Sequence, residues 1–256
     1  MKGLLTVLGS GTSMGVPTIG CRCAVCTSPD PHDRRTRPSV MVEYDGHRVL
    51  IDSTPDFREQ AIREGIRRVD AVLYTHAHAD HILGLDDLRP LTFHSAGKIP
   101  LYAQARVADR IRHMFNYIFD GNYKYGGIAQ VELNVFQGPV DLFGVRFHPV
   151  PVMHGDSEIC GFRFGSAAYV TDFSVIPEPS MAMLRDLDIL FLDALRHRPH
   201  PTHSTVANSL ALVEQLRPRR AFFTHISHDL PHVATNETLP AHVRLAHDGL
   251  KLEFEI

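Results

Sequence analysis

Tyr74-Thr-His-Ala-His-Ala-Asp-His81 places His76, His78, Asp80 and His81 within six residues, directly after the apolar run Val69-Asp-Ala-Val-Leu-Tyr74. A buried strand that ends in a loop can aim His76 and His78 at one ion. Asp80 and His81, at the start of the next helix, then reach a second ion beside it. One histidine in such a place would read as a polar loop residue touching water. H-x-H-x-D-H between a strand and a helix reads instead as the site of a two-metal hydrolase.

The rest of the composition agrees with a metalloprotein. The chain has 256 residues, 44% hydrophobic and 21% charged, enough for one globular domain spanning 1–256 with a core that needs no disulfide staples. A formal net charge of -3 argues against a generalised electrostatic grip on nucleic acid or an anionic membrane. The 17 histidines are many for this length, and three of the four cysteines crowd into Cys21-Arg-Cys-Ala-Val-Cys26. Three cysteines so close together cannot all pair with one another, and Cys160 lies far away in an apolar context that suits a small buried hydrophobe. Met1-Lys-Gly-Leu-Leu-Thr-Val-Leu8 is too short for a signal peptide or a membrane span and reads as a first strand. A cytoplasmic protein with no membrane partner is expected.

Strands are expected at 3–8, Val40–Tyr44 and Arg48–Asp52, the last two joined by the hairpin dipeptide Asp45-Gly46. A helix over 56–66, the strand 69–74, a short helix from Ile82 that stops near Pro90, a strand at Ile99–Ala103 and a helix near 105–115 follow. The second half repeats the strand grammar at 131–136, 140–142, 145–152, 161–164, 167–171, 189–193 and 220–224. Helices fit 177–186 and 205–216, the second entered through Ser204. Gly9-Ser-Gly-Thr-Ser-Met-Gly15 lacks the lysine and the helix of a phosphate-binding loop and reads as a tight bend passing close to a site. Arg34, Arg35 and Arg37 read as a solvated loop, with contact to a substrate phosphate as the sharper alternative. Tyr117, Tyr123 and Tyr125, in an aromatic and glycine-rich stretch, are either buried under an irregular loop or placed to stack on a substrate.

His76, His154, Asp172 and His225 each come directly or nearly so after an apolar strand, and ligands of open α/β sheets collect at one end of the strands. That order of motifs, ending in Thr224-His-Ile-Ser-His228, resembles the metallo-β-lactamase superfamily of binuclear hydrolases. Gly11-Thr-Ser-Met-Gly-Val-Pro17 and Gly20-Cys-Arg-Cys-Ala-Val-Cys26 narrow the resemblance to its phosphoribosyl 1,2-cyclic phosphate phosphodiesterase branch. The resemblance implies an α/β fold, a four-layer αβ/βα sandwich of two mixed β-sheets flanked by helices. It also implies two divalent ions, manganese or zinc. His76, His78 and His154 would hold the first, Asp80, His81 and His225 the second, and Asp172 would bridge them.

A structural zinc on Cys21, Cys23, Cys26 and His228 is implied as well, a closed tetrahedral set that would tie the N-terminal loop to the strand bearing His225. His203 matches the family's general acid, whereas His197 and His200 have no counterpart and read as surface or substrate-edge residues. The expected activity is hydrolysis of a small, cyclic or ribose-bearing phosphodiester by a binuclear metal-activated hydroxide, with Asp80 orienting it. A homodimer is also implied. The rivals on the same fold are a ribonuclease Z-like nuclease and a thioester or lactone hydrolase; a metal-stapled binding module for a nucleotide or phosphosugar is the reading without catalysis. Residues 105–136 depart from the phosphodiesterase pattern and are expected to overhang the site.

Overall fold

The computed structural model describes residues 1–93, 97–122 and 127–256. Six strands open the chain: β1 (Lys2–Gly9), β2 (Ser39–Tyr44), β3 (His47–Ile51), β4 (Ala71–Leu73), β5 (Ile99–Ala103) and β6 (Val131–Val135). Seven more form a second sheet: β7 (Val140–Leu142), β8 (Val145–His154), β9 (Ser157–Phe164), β10 (Ala167–Val170), β11 (Ile189–Asp193), β12 (Arg220–Thr224) and β13 (Val243–Leu245). A last strand, β14 (Lys251–Glu255), returns to the first sheet and pairs antiparallel with β1, giving the orders β14-β1-β2-β3-β4-β5-β6 and β13-β12-β11-β10-β9-β8-β7.

Both sheets are mixed. Hairpin strands β1 to β3 pair antiparallel, whereas β3 to β6 run parallel through helical crossovers; β7 to β10 are antiparallel and β10 to β13 parallel. The apolar runs are continuous because each inner strand is covered on both faces. In β4, Ala71 and Leu73 point to the core between the sheets and Val72 to the helical side; in β11, Ile189 and Phe191 face inward while Leu190 and Leu192 face the helices. The central layer is aromatic, with Phe147, Phe162, Phe164, Tyr169 and Phe191 fully buried. An apolar layer on the outer face of each sheet packs the helices, and the expected four-layer αβ/βα sandwich results.

Element bounds differ from expectation in instructive places. The helix over 56–66 is confined to Phe57–Arg63, because Gly65 takes a positive φ of 65° and turns the chain. Pro90 does not stop a helix; it sits in the first turn of Arg89–Thr92, where its missing N–H has no intrahelical partner to lose. Thr205 rather than Ser204 caps the helix Val206–Leu216, its side chain accepting from the Asn208 N–H. β6 closes the first sheet rather than opening the second. The strands β13 and β14 alternate buried and exposed residues over only three and five positions, and with the helix His232–Thr238 they add to the expected elements. Asp45 and Gly46 both have positive φ (45° and 75°), as the hairpin dipeptide requires. Among the described residues no helix is long and apolar enough to cross a membrane.

Candidate metal centre

Asp52, Asp172 and His225 each follow a strand of the parallel part of a sheet and adopt left-handed backbone conformations, with φ of 64°, 57° and 57°. Non-glycine residues held there cost roughly 1–3 kcal/mol each and gather at functional sites. Here the turn bends the chain sharply off the strand end. His76 and His78 follow β4, His154 ends β8, and His78 precedes the short helix Ala79–Ile82 that carries Asp80 and His81.

The seven side chains expected to bind the metal pair converge. His76, His78, His154 and Asp172 offer ligand atoms within 4.8 Å of one another, and so do Asp80, His81, Asp172 and His225. Asp172 belongs to both sets: Oδ1 lies 3.4 Å from His81 Nε2, and Oδ2 lies 3.2 Å from His225 Nε2 and 3.8 Å from His76 Nε2. The opposite ring nitrogens of three histidines are anchored, while Nδ1 of His225 has no hydrogen-bond partner among the described residues. His81 Nδ1 lies 2.7 Å from Asp52 Oδ2, His76 Nδ1 3.0 Å from Thr75 Oγ1, and His154 Nδ1 2.8 Å from the Thr202 carbonyl oxygen. Thr75 donates through Oγ1 to Asp52 Oδ2 and through its N–H to Oδ1, so one buried carboxylate orients a histidine of each set. Nδ1 anchored and Nε2 directed at a common centre is the arrangement of metal-bound imidazoles. The buried Nε2 atoms of His76, His81 and His225 and Oδ2 of Asp80 have no hydrogen-bond partner. Left unpaired, each would cost about 1–3 kcal/mol, and divalent ions fit the donor set.

Charge balance points the same way. Burial opposes a proton on His225, but Asp172, Asp80 and Asp193 outweigh it and raise its pKa to about 9. Burial likewise opposes the charge on Asp80 and Asp172, yet the neighbouring imidazoles hold both carboxyls far below the usual range. His76 is held neutral by burial and by His81. Asp80 and Asp172 thus draw positive charge into a buried pocket.

His203 stands at the edge of this centre. Its ring stacks on His225 at 4.5 Å and 13°, and its Nδ1 lies 2.7 Å from Asp193 Oδ2, leaving Nε2 for the cavity. Burial and His225 lower its pKa to about 4. Burial raises that of Asp193 well above a normal carboxyl. The sequence reading passed over Asp193 and took Asp52 only as a strand end. Both terminate apolar strands as Asp172 nearly does, and that shared position was the available signal. The cavity of about 330 Å³ is lined by His78, Asp80, His154, Asp172, His203 and His225, with Ser13, Ser157 and Thr202 between them.

Cys21, Cys23 and Cys26 also meet His228 as expected, their Sγ atoms 3.2, 3.5 and 3.4 Å from its Nδ1. Those separations suit four corners of one tetrahedron. The Cys26 N–H donates to Cys23 Sγ and helps lower that thiol to about 7. Of the three arginines, Arg35 is buried and structural, donating to Asp33 and to the Ser227 and Leu230 carbonyls. Arg37 pairs with Asp56 at 2.8 Å, and Arg34 is exposed. His197 is exposed, and the His200 ring lies 5.0 Å from that of His203. No residue of 105–136 lines the cavity, so the expected overhang is not found among the described residues; Tyr117 packs against the outer core of the first sheet. Tyr123 and Tyr125 lie outside the described residues.

The family model of the beta-lactamase superfamily domain matches residues 47–226, an interval that contains all seven ligands of the two sets. The chain belongs to the β-lactamase superfamily. Within that superfamily it is 63% identical to a crystal structure described as a new diphosphatase from the PhnP family, with a TM-score of 0.95, covering 100% of this chain and 98% of that one. The zinc-bound PqqB of Methylobacterium extorquens shares the fold at a TM-score of 0.79 and 21% identity over 97% of this chain and 99% of that one. An octanoyltransferase of Porphyromonas gingivalis is 40% identical over 96% of this chain but only 50% of its own length. The chain spans about half the length of the curated relatives it matches. Superfamily membership gives the chain a hydrolase-type scaffold, and its clustered histidines and aspartates suit divalent metal.

Proposed function

We propose that this protein hydrolyses a small organic diphosphate or phosphodiester, using two divalent ions held by His76, His78 and His154 and by Asp80, His81 and His225, with Asp172 between them. The observation that carries the reading is Asp172, whose Oδ2 lies between His76 of the first set and His225 of the second while Oδ1 faces His81 of the second. Bound there, two such ions would supply a water deprotonated near neutral pH and positive charge against the phosphoryl oxygens. Cys21, Cys23, Cys26 and His228 would hold a separate structural zinc.

The water oxygen bonds to phosphorus, the bridging P–O bond breaks, and the leaving oxygen keeps the electron pair. A diphosphate diester would thereby give two phosphate monoesters at the cost of one water. Asp80, lining the cavity, orients the attacking water. His203 donates a proton to the leaving oxygen from Nε2, since Asp193 occupies Nδ1. An anionic substrate beside the ring supplies the negative charge that favours its protonated form.

The P–O–P linkage is the first choice because the 63% identical relative is described as a diphosphatase. A cyclic phosphodiester is the second, on the resemblance carried by Gly11–Pro17 and Gly20–Cys26. The test is turnover by metal-loaded protein on a diphosphate diester, a ribose cyclic phosphate, an activated aryl phosphodiester, a precursor transfer RNA and an acyl thioester. Cleavage of either of the first two supports the reading; cleavage of the RNA or thioester alone contradicts it.

A further inference from the structure

The glycine-rich segment after β1 comes closer to the metal centre than a bend requires. Gly11 forms a parallel bridge with Ile226, the residue after the ligand His225. The Ile226 N–H donates to the Ser10 carbonyl at 2.9 Å, and the Thr12 N–H donates to the Ile226 carbonyl at 3.1 Å. From this anchor the chain turns over Ser13 and Met14, closed by the Gly15 N–H donating to the Thr12 carbonyl at 2.7 Å. Gly15 has a φ of 64°, a conformation that a side chain would strain. Arg37 Nε fixes the corner from outside by donating to the Ser13 carbonyl at 3.1 Å.

Ser13 is the one residue of this turn that lines the cavity, alongside Asp80, Asp172, His203 and His225. Neither its hydroxyl nor its N–H has a hydrogen-bond partner among the described residues. The turn also lies on a defined side of the cavity. It is bonded to the residue after His225, and His203 stacks on the His225 ring. A leaving group that takes its proton from His203 therefore departs within the cavity that Ser13 also lines.

We infer that Ser13 binds the second phosphoryl group of the substrate, the one that departs with the leaving half, and so selects a diphosphate over a simple phosphodiester. The inference deepens the diphosphate reading given above and rests on it for the substrate class. Hydroxyl and amide donors on a rigid turn suit an anion whose charge is not taken up by the metal pair. The residue is exposed and outside the core, so replacing it leaves the fold intact.

The experiment is calorimetric binding to the metal-loaded protein, which needs no turnover. The probes are a diphosphate diester with a methylene group in place of the bridging oxygen, and a phosphonate monoester with a single phosphoryl group. Ser13→Ala is expected to raise Kd for the two-phosphoryl probe about 10-fold or more, leaving the one-phosphoryl probe within about 2-fold, and Ser13→Thr to restore the difference. Equal weakening of both probes, no weakening of either, or no binding of the methylene diester by the unaltered protein would overturn the inference. A parallel turnover assay on the oxygen-bridged diester reports on the broader reading. Failure there with the Ser13 effect intact removes the activity and keeps the subsite.

Discussion

At the scale of single residues, the centre depends on side chains that never touch substrate. Asp52 accepts from Thr75 and faces His81 Nδ1 at 2.7 Å, so Asp52→Ala frees a histidine of each ligand set from its anchor. Metal affinity should fall about 10- to 100-fold, read by competition with a fluorescent chelator; unchanged affinity would reduce Asp52 to a fold residue. His203→Ala should slow alkyl esters by about 10² to 10⁴-fold while sparing activated aryl esters, whose leaving groups need no proton. Equal losses on both would remove the general-acid role. Four of the seven residues were legible because H-x-H-x-D-H is compressed into one stretch, and His154, Asp172 and His225 from their places after apolar strands together with the family resemblance. Asp193 was not, because a lone aspartate after an apolar strand has no partner in sequence; its meaning comes from His203, brought to it across the loop after β11.

At the scale of elements, two joints hold the N-terminal loop against the segment that follows β12. One is the Cys21, Cys23, Cys26 and His228 cluster. The other is buried Arg35, which bridges Asp33 to the carbonyls of Ser227 and Leu230. Cys23→Ser should cost one bound metal per chain by elemental analysis and lower Tm, leaving the capacity for catalytic metal in place; loss of every metal would mean the cluster does not act apart from the centre. Nearby, His232 opens the last helix with its Nδ1 buried and unpartnered, against His32 at 4.6 Å and His247 at 5.8 Å. Burial, then His32 and Arg35, lower its pKa to about 4, while Asp30 works the other way. The unfolded chain therefore takes up this proton first as pH falls below its ordinary value of about 6.5, and stability drains from there down to about pH 4. The effect is on the order of 1 kcal/mol between pH 7 and pH 5, and His232→Gln should show a shallower fall in Tm over that window. The crowded cysteines were legible as a run and His228 through the family resemblance, but the histidine group was not, since its members lie on three segments far apart in sequence.

At the scale of the molecule, two seven-stranded sheets face each other through an aromatic layer, and the metal centre sits where strands of both sheets end. Phe162 lies in the middle of that layer, fully buried, and Phe162→Ala should cost about 3–5 kcal/mol in denaturant unfolding; a loss below about 1 kcal/mol would mean the sheets do not share one core. The α/β class was legible from continuous apolar runs ending in polar residues, and the four-layer arrangement from the family resemblance. The closing strand β14 and the edge strand β13 were not, because they alternate over only five and three residues and their pairing is set by distant partners. Within 105–136 the described residues form part of the outer core, in which Tyr117 packs, because aromatic composition fits a lid and a core equally well. The account stands most directly on phosphorus NMR of the metal-loaded protein with an organic diphosphate diester, Asp80→Ala serving as the blank. It predicts that the diester resonances give way to two phosphate monoester signals with the unaltered protein alone. Intact diester after prolonged incubation with fully loaded protein, or equal conversion by the Asp80→Ala variant, would contradict it.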